Sequence, residues 1–341
     1  MDYHIYAVKR NLIEYPWKDV IRFNPTMMNI FFSPLSHLFI LLIIPMIFVS
    51  GCNNITSRDN VQQPVFSFGL IADAQYADKD PVGKRFYRSS LQSLRNAVDT
   101  LNLYDLAFVA HLGDLIDQDF RSYDSIFPIY QQLNTDAYIV LGNHEYAVDS
   151  SQKSEILSRL GLSHRYYDFA VNGWRFLVLD GQGNSVFTHP GSSDAYKKAQ
   201  ITLADLRQKG AANAMEWNGG VDDDQMDWIK ERLEYATQNN EHVIMFCHYP
   251  AYPLNHTHNI WNDQELVALV DKYPACKVYF NGHNHAGYTA IYHNMHYITL
   301  KGMVENPDEN AFAIVHVYED RLEMDGFGSE DDRIIPIKGI Y

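Results

Sequence analysis

Five apolar runs between residues 65 and 285 end in the same way, and that recurrence constrains the fold more than any other feature of the chain. "VFSFGLIAD" closes on Asp73, "LAFVAHLGD" on Asp114, "AYIVLGNH" on Asn143 and His144, "HVIMFCHYP" passes through His248, and "KVYFNGHNH" ends with His283 and His285. Short apolar runs bounded by polar residues read as buried strands. A sixth run, "RFLVLD" (175–180), fits the same description. Helical segments lie between them: residues 84–101 carry Phe86, Leu91, Leu94, Val98 and Leu101 near a 3.6-residue period. A second helix opens at "VDDDQMDWIKERL", where Asp222 followed by Gln225 is a capping-box pair and Met226, Ile229 and Leu233 form the apolar stripe. Alternation of this kind predicts an α/β sheet whose ligands gather at the carboxyl ends of its strands. A single Asp or His after a strand is ordinarily a turn former, a helix cap or a hydrogen-bonded residue. Five in succession are what one shared site at one sheet edge predicts.

The last 55 residues change character. "GYTAIYHNMHYITLKGMVE" and "AFAIVHVYEDRLEMDGFG" alternate, with turns at His293-Asn294 and Glu319-Asp320, which suits antiparallel hairpins. Residues 65–341 therefore read as one α/β domain of two packed sheets with outer helices. Residues 181–220, with "GQGNS", "THPGSSD" and "NGG", read as a long irregular region, part of it a loop on the substrate side.

Carboxylate, amide oxygen and imidazole are the ligand types at those strand ends, a set that suits Mn²⁺, Fe²⁺ or Zn²⁺. The formal net charge of −15, with no Lys/Arg-rich run, argues against nucleic acid as a partner. An anionic substrate would need a bound cation to attract it. The donors exceed what a single ion takes while keeping an open position, whereas two ions sharing a carboxylate would use them. His256 and His258 in "PLNHTHNIW" are a second histidine pair, read as a loop at the mouth of the site because no acid partner matches them in spacing.

In order and spacing, Asp73-x-Gln75, Gly113-Asp114-x-x-Asp117, Gly142-Asn143-His144-Glu145, His248 and Gly282-His283-x-His285 resemble the calcineurin-like metallophosphoesterase pattern. The resemblance implies a four-layer αββα sandwich of two mixed sheets flanked by helices, and a dimetal centre. It implies that Asp73, Gln75 and His285 hold one ion, that Asn143, His248 and His283 hold the other, and that Asp114 bridges them. It further implies that His144 stands beside the phosphate as the group that protonates the departing oxygen, and that Asp117 and Glu145 orient the histidines. Gln75 departs from the commonest pattern, which has histidine there. With "KRFYRSSL", "NGGVDDDQMDWI" and "KGMVENPDENAFAIVHVY", it makes the chain similar to the Mn²⁺-dependent ADP-ribose/CDP-alcohol diphosphatases from about Val65 to Ile334. That branch implies hydrolysis of a small nucleoside-diphosphate substrate, ADP-ribose or a CDP-alcohol such as CDP-choline or CDP-glycerol, at its pyrophosphate. A phosphoesterase of other specificity and an inactive binding protein of the same fold are the alternatives. Arg85 and Arg88, and the backbone of Asn218, Gly219 and Gly220, are candidate substrate contacts, because guanidinium groups and free amides suit phosphates.

Cys247 and Cys276 sit inside apolar runs and read as buried thiols, whereas Cys52 follows the most hydrophobic run of the chain, Leu38 to Val49. That run of 12 residues fits a signal-peptide core and falls short of the about 20 residues that span a bilayer. Extended back to Ile30 it reaches spanning length, with Pro34, His37 and Pro45 inside it. Val49-Ser50-Gly51-Cys52 resembles a bacterial lipobox, which implies cleavage before Cys52, lipid on its thiol and a catalytic domain anchored in the cell envelope outside the cytoplasm. Residues 1–51 are then signal and N-terminal extension, with Met27 and Met28 as alternative starts, and residues 52–64 are a tether.

Overall fold

A computed structural model describes residues 62–337. Cys52 and the run before it lie outside the described residues, and no described helix is long and apolar enough to cross a membrane. The first strands are β1 (Phe66–Ile71), β2 (Phe108–His111), β3 (Ala137–Ile139), β4 (Tyr167–Val171) and β5 (Trp174–Val178). They are followed by β6 (His242–Phe246), β7 (Cys276–Asn281), β8 (Ala286–Tyr292) and β9 (Met295–Lys301). The last are β10 (Ala311–Val317), β11 (Arg321–Gly328) and β12 (Arg333–Pro336). One sheet has the order β12-β11-β10-β1-β2-β3 and the other β4-β5-β6-β7-β9-β8. β1, β2 and β3 are mutually parallel, as are β5, β6, β7 and β9, and the remaining strands pair antiparallel.

Alternate side chains of the parallel strands serve two different cores. Phe68 and Phe108 point from the first sheet toward Phe176 and Phe246 of the second; the Phe68 and Phe108 rings stack 4.9 Å apart, and Phe176 lies 5.6 Å and 4.9 Å from them. The intervening Leu177, Met245 and Tyr279 pack outward with Ile229, Leu233 and Leu266. Those residues belong to helices flanking the second sheet. The helices are α1 (Tyr87–Leu101), α2 (Tyr123–Tyr130), α3 (Ile156–Leu160), α4 (Asp194–Gln208), α5 (Asp223–Gln238) and α6 (Asp263–Val270). Burial on both faces explains why the strands read as continuous apolar runs. The architecture is the four-layer sandwich expected.

Three local features differ from expectation. Residues 181–220 contain α4, capped by the Ser193 hydroxyl, which accepts from Tyr196 N at 3.1 Å. Its only buried residues are Ala199 and Leu203, while Ile201 is 70% exposed, so it carries no apolar stripe to be read. β4 was missed although Asn172-Gly173 separates it from β5. Both residues have positive φ (+47° and +82°), the signature of a tight hairpin turn. At α5, Asp222 accepts from Gln225 N as a capping box requires. The Gln225 amide does not reach back, however; it grips both backbone groups of Asp180 at 2.8 Å, tying the helix to the end of β5.

A candidate dimetal centre

The parallel strands of both sheets end at one edge, and the chain there adopts a conformation that few side chains tolerate. Asp73, Gln75, Asp114 and His283 have φ of +52°, +41°, +58° and +65°. Each such residue costs about 1–3 kcal/mol and persists only where its surroundings fix it. Here they do. A Cβ on Gly142 would sit 2.1 Å from Asp114 Oδ1, and one on Gly282 2.4 Å from Asp73 Oδ2, so both glycines let a carboxylate lie against the backbone. Gly113, at φ +94°, turns the chain into Asp114. Glu145 then accepts from the backbone N–H groups of Asp114, Leu115 and Gly142 at 2.9, 2.6 and 2.6 Å. Glu145 therefore orients the Asp114 loop and not a histidine, contrary to expectation. Burial, followed by the Asp114 charge, pushes its carboxyl up to about 7 against those three donors.

The histidines are oriented by other groups. His248 Nδ1 donates to Leu112 O (2.9 Å), His283 Nε2 to Asn218 Oδ1 (3.0 Å) and His285 Nδ1 to Glu305 Oε1 (2.8 Å). Those bonds assign the tautomers and leave a lone pair on each remaining nitrogen. His248 Nε2 consequently faces Asn143 Oδ1 at 3.1 Å, Asp114 Oδ2 at 3.2 Å and His283 Nδ1 at 3.1 Å, all acceptors. The ligand atoms of Asp114, His248 and His283 lie within 4.8 Å of one another. A second set adjoins it: His285 Nε2 is 3.4 Å from Asp73 Oδ1, and the Gln75 amide stands 3.1 Å from His285 Nε2 and 3.0 Å from Asp114 Oδ2. The Gln75 Oε1 atom is buried without a partner; turning the amide over points it at the same atoms. With the rings neutral and the Gln75 amide turned over, these converging lone pairs and the orphaned amide oxygen fit two cations that share Asp114.

The electrostatics agree. Burial alone would raise the Asp114 carboxyl, but His248 and His144 hold it well below the usual carboxylate range. Burial opposes the charging of His248 and His285, yet Asp114 and Asp73 respectively push them up to about 9. Burial and the neighbouring His248 hold His283 well below the ordinary value. A cluster that draws protons to offset its carboxylates is one that a divalent cation would hold by displacing them.

His144 stands apart from this set. Its backbone N–H donates to Asp114 Oδ1 (2.8 Å), its Nδ1 bonds Asp117, and its Nε2 is 3.9 Å from Asp114 Oδ2. Burial works against its proton, but Asp114 and Asp117 raise its pKa. An open cleft of about 730 Å³ adjoins the site, lined in part by Lys84, Arg85, His258, Lys301 and Glu305. Arg85 makes no ion pair among the described residues. Arg88 does not line the cleft: it is spent on Asp78 and Asp80 at 2.5 and 2.6 Å. Asn218 N donates to Met215 O (3.2 Å) and Gly220 N to Asn184 O (2.9 Å), and the Asn218 side chain is fully buried, so neither offers a free group to substrate. A Cβ on Gly219 would meet Gly181 O at 2.3 Å, which marks this glycine as a packing contact between loops. Glu305, four residues beyond the end of β9, escaped sequence reasoning because it recurs in no ligand spacing; only its place in "KGMVENP" marked the segment.

Comparison with known proteins places this geometry. The family model for calcineurin-like phosphoesterases matches residues 66–287. A manganese-dependent ADP-ribose/CDP-alcohol diphosphatase of Arabidopsis thaliana is 30% identical over 78% of this chain and 95% of its own length. Its counterpart in Homo sapiens is 28% identical over 80% and 93%. The crystal structure of a dimetal phosphatase from Danio rerio superposes with a TM-score of 0.73 at 28% identity, covering 81% of this chain and all of that one. The chain belongs to the calcineurin-like phosphoesterase family and is a metal-dependent hydrolase.

Proposed function

We propose that the protein hydrolyses the pyrophosphate bond of ADP-ribose or of CDP-alcohols, releasing a nucleoside monophosphate and a phosphorylated sugar or alcohol. The observation that carries the reading is the donor set beside a cleft whose Lys84 and Arg85 offer cations in a chain of net charge −15. The names of the relatives and Gln75 in the first motif support the branch. In this reading Asp73, Gln75 and His285 hold one ion, Asn143, His248 and His283 the other, and Asp114 both. Two divalent ions bound there would neutralise charge on the phosphoryl oxygens and lower the pKa of bound water. Mn²⁺ is favoured, with Fe²⁺ and Zn²⁺ as alternatives, because an amide oxygen is a harder ligand than imidazole. Arg85 orients the diphosphate. His144, with Nδ1 tied to Asp117, directs Nε2 toward the departing oxygen and delivers the proton there. Attachment of lipid to Cys52, with the catalytic domain in the cell envelope, belongs to the same proposal; incorporation of labelled palmitate that Cys52→Ala abolishes is its test.

Steady-state kinetics of Mn²⁺-loaded protein on CDP-choline, ADP-ribose, a cyclic nucleotide and p-nitrophenyl phosphate test the substrate class. The first two should have the higher kcat/KM. Preference for either of the last two would overturn the assignment.

A further inference from the structure

Asp117 has a second partner besides His144, the side chain of Lys79. One of its carboxylate oxygens takes His144 Nδ1, and the other is paired with the ammonium of Lys79. The Asp117 side chain is 1% exposed, so each oxygen depends on its partner for a hydrogen bond. Lys79 is itself held: its Nζ lies 3.8 Å from the centroid of the Tyr87 ring, and Tyr87 is buried with Ala77 and Val304 at the start of α1. Backbone bonds from Asp117 N to Tyr76 O (3.0 Å) and from Tyr76 N to Leu115 O (3.0 Å) lay the two segments side by side. Tyr87, Lys79, Asp117 and His144 thus form one chain of contacts from a buried aromatic ring to the imidazole beside Asp114. No metal-binding atom lies in it.

We infer that Lys79 is a positioning residue for His144: by fixing the free oxygen of Asp117 it locks the carboxylate, and through it the ring plane of His144, whose Nδ1–H stays on Asp117 while Nε2 carries the proton that the imidazolium gives up. The inference rests on the reading of His144 as the group that protonates the departing oxygen. A carboxylate with one oxygen unpaired can rotate about its Cβ–Cγ bond, and the imidazole it holds then loses its single orientation. The loss falls on the step in which the leaving oxygen gains its proton. Substrates that need that proton should suffer, and those whose leaving group departs as a stable anion should not.

The experiment compares full-length wild-type protein with Lys79→Met, Lys79→Arg and His144→Ala. The substrates are the phenyl and p-nitrophenyl esters of thymidine 5′-monophosphate, which differ only in how basic the departing oxygen is. Lys79→Met should lower kcat on the phenyl ester about tenfold, a part of the ~100- to 10,000-fold that a positioned general acid supplies. KM, bound metal and kcat on the nitrophenyl ester should stay within about twofold. Lys79→Arg, which keeps a cation within reach of Asp117, should recover most of the lost rate, and Lys79→Met should add nothing in the His144→Ala background. Equal losses on both substrates, or additivity with His144→Ala, would overturn the inference. A readout independent of turnover accompanies it: long-range ¹H–¹⁵N spectra of metal-free protein, with His144 assigned by its disappearance in His144→Ala. At a pH where the ring is neutral, the wild-type ring should show one tautomer, Nδ1–H, and the Lys79→Met ring a mixture. An unchanged ring in Lys79→Met overturns the inference even if wild-type protein does not cleave CDP-choline, a result that would instead remove the functional reading. If Lys79→Met does not fold, Lys79→Gln provides the same comparison.

Discussion

Replacing Asn218 by alanine separates two roles that the sequence could not tell apart. Its amide makes three bonds: Oδ1 accepts from His283 Nε2 at 3.0 Å, and Nδ2 donates to Asn213 O at 3.1 Å and Thr257 O at 2.7 Å. At about 1 kcal/mol net for each bond, Asn218→Ala should cost roughly 3 kcal/mol of stability. That is a substantial share of a typical ~5–15 kcal/mol, and the variant should still fold. The larger consequence is for the metal. With Nε2–H unpaired, His283 is free to rotate or change tautomer, and the nitrogen that faces His248 and Asp114 is no longer fixed. Loss of such an orienting partner typically weakens metal binding about 10- to 100-fold. Calorimetric titration of metal-free protein with Mn²⁺ measures this directly, and kinetics at saturating Mn²⁺ should then return KM to within about twofold of wild type. Unchanged Mn²⁺ affinity with a raised KM would refute the reasoning and restore Asn218 as a substrate contact.

Gly142→Ala should place a Cβ against Asp114 Oδ1, 2.1 Å away before relaxation; displacement of a shared ligand by about 1 Å should lower kcat at least ~100-fold, with reduced Mn²⁺ content by atomic absorption. Arg85→Ala should raise KM about tenfold with kcat nearly unchanged, as loss of a charge-assisted contact to a diphosphate requires; an unchanged KM would assign Arg85 to the solvated surface. In metal-free protein the His248 and His285 pKa values, raised to about 9, contribute stability that is fully present below their unfolded value of about 6.5 and is lost as pH rises through about 9. Thermal melts of chelator-treated protein should therefore show falling Tm between pH 7 and 10. Mn²⁺ binding over the same range should release protons and tighten as pH rises, and pH-independent melts would contradict the assigned environments.

The layer order and the site edge were legible because they rest on period and repetition. Phe68 and Phe108 lie in runs long enough to declare buried strands, and Asp73, Asp114 and His248 follow those runs at once. What escaped was whatever depends on contacts distant in sequence. Asn218 and His283 are 65 positions apart, His285 and Glu305 are 20 apart, and no spacing rule joins either pair. The side-chain amide of Asn218 suits a turn, a phosphate contact or an imidazole equally well, and only packing chooses among them. α4 was hidden for the opposite reason, because a helix that buries just Ala199 and Leu203 leaves no periodic trace. β4 had a signal, the Asn172-Gly173 pair, whose meaning depended on noticing that "RFLVLD" needed an antiparallel neighbour.

The left-handed backbone at Gln75 has a bearing on how such a site drifts. Glycine adopts φ of +41° without strain, so Gln75→Gly relieves the conformational penalty while deleting a proposed ligand. Selection for a sturdier metal-free chain and selection for a loaded one therefore favour different residues at the same position. A lineage that ceased to need the hydrolase would be expected to lose Asp73, Gln75, Asp114 and His283, all left-handed, to glycine or asparagine first, with the aromatic core between the sheets left intact.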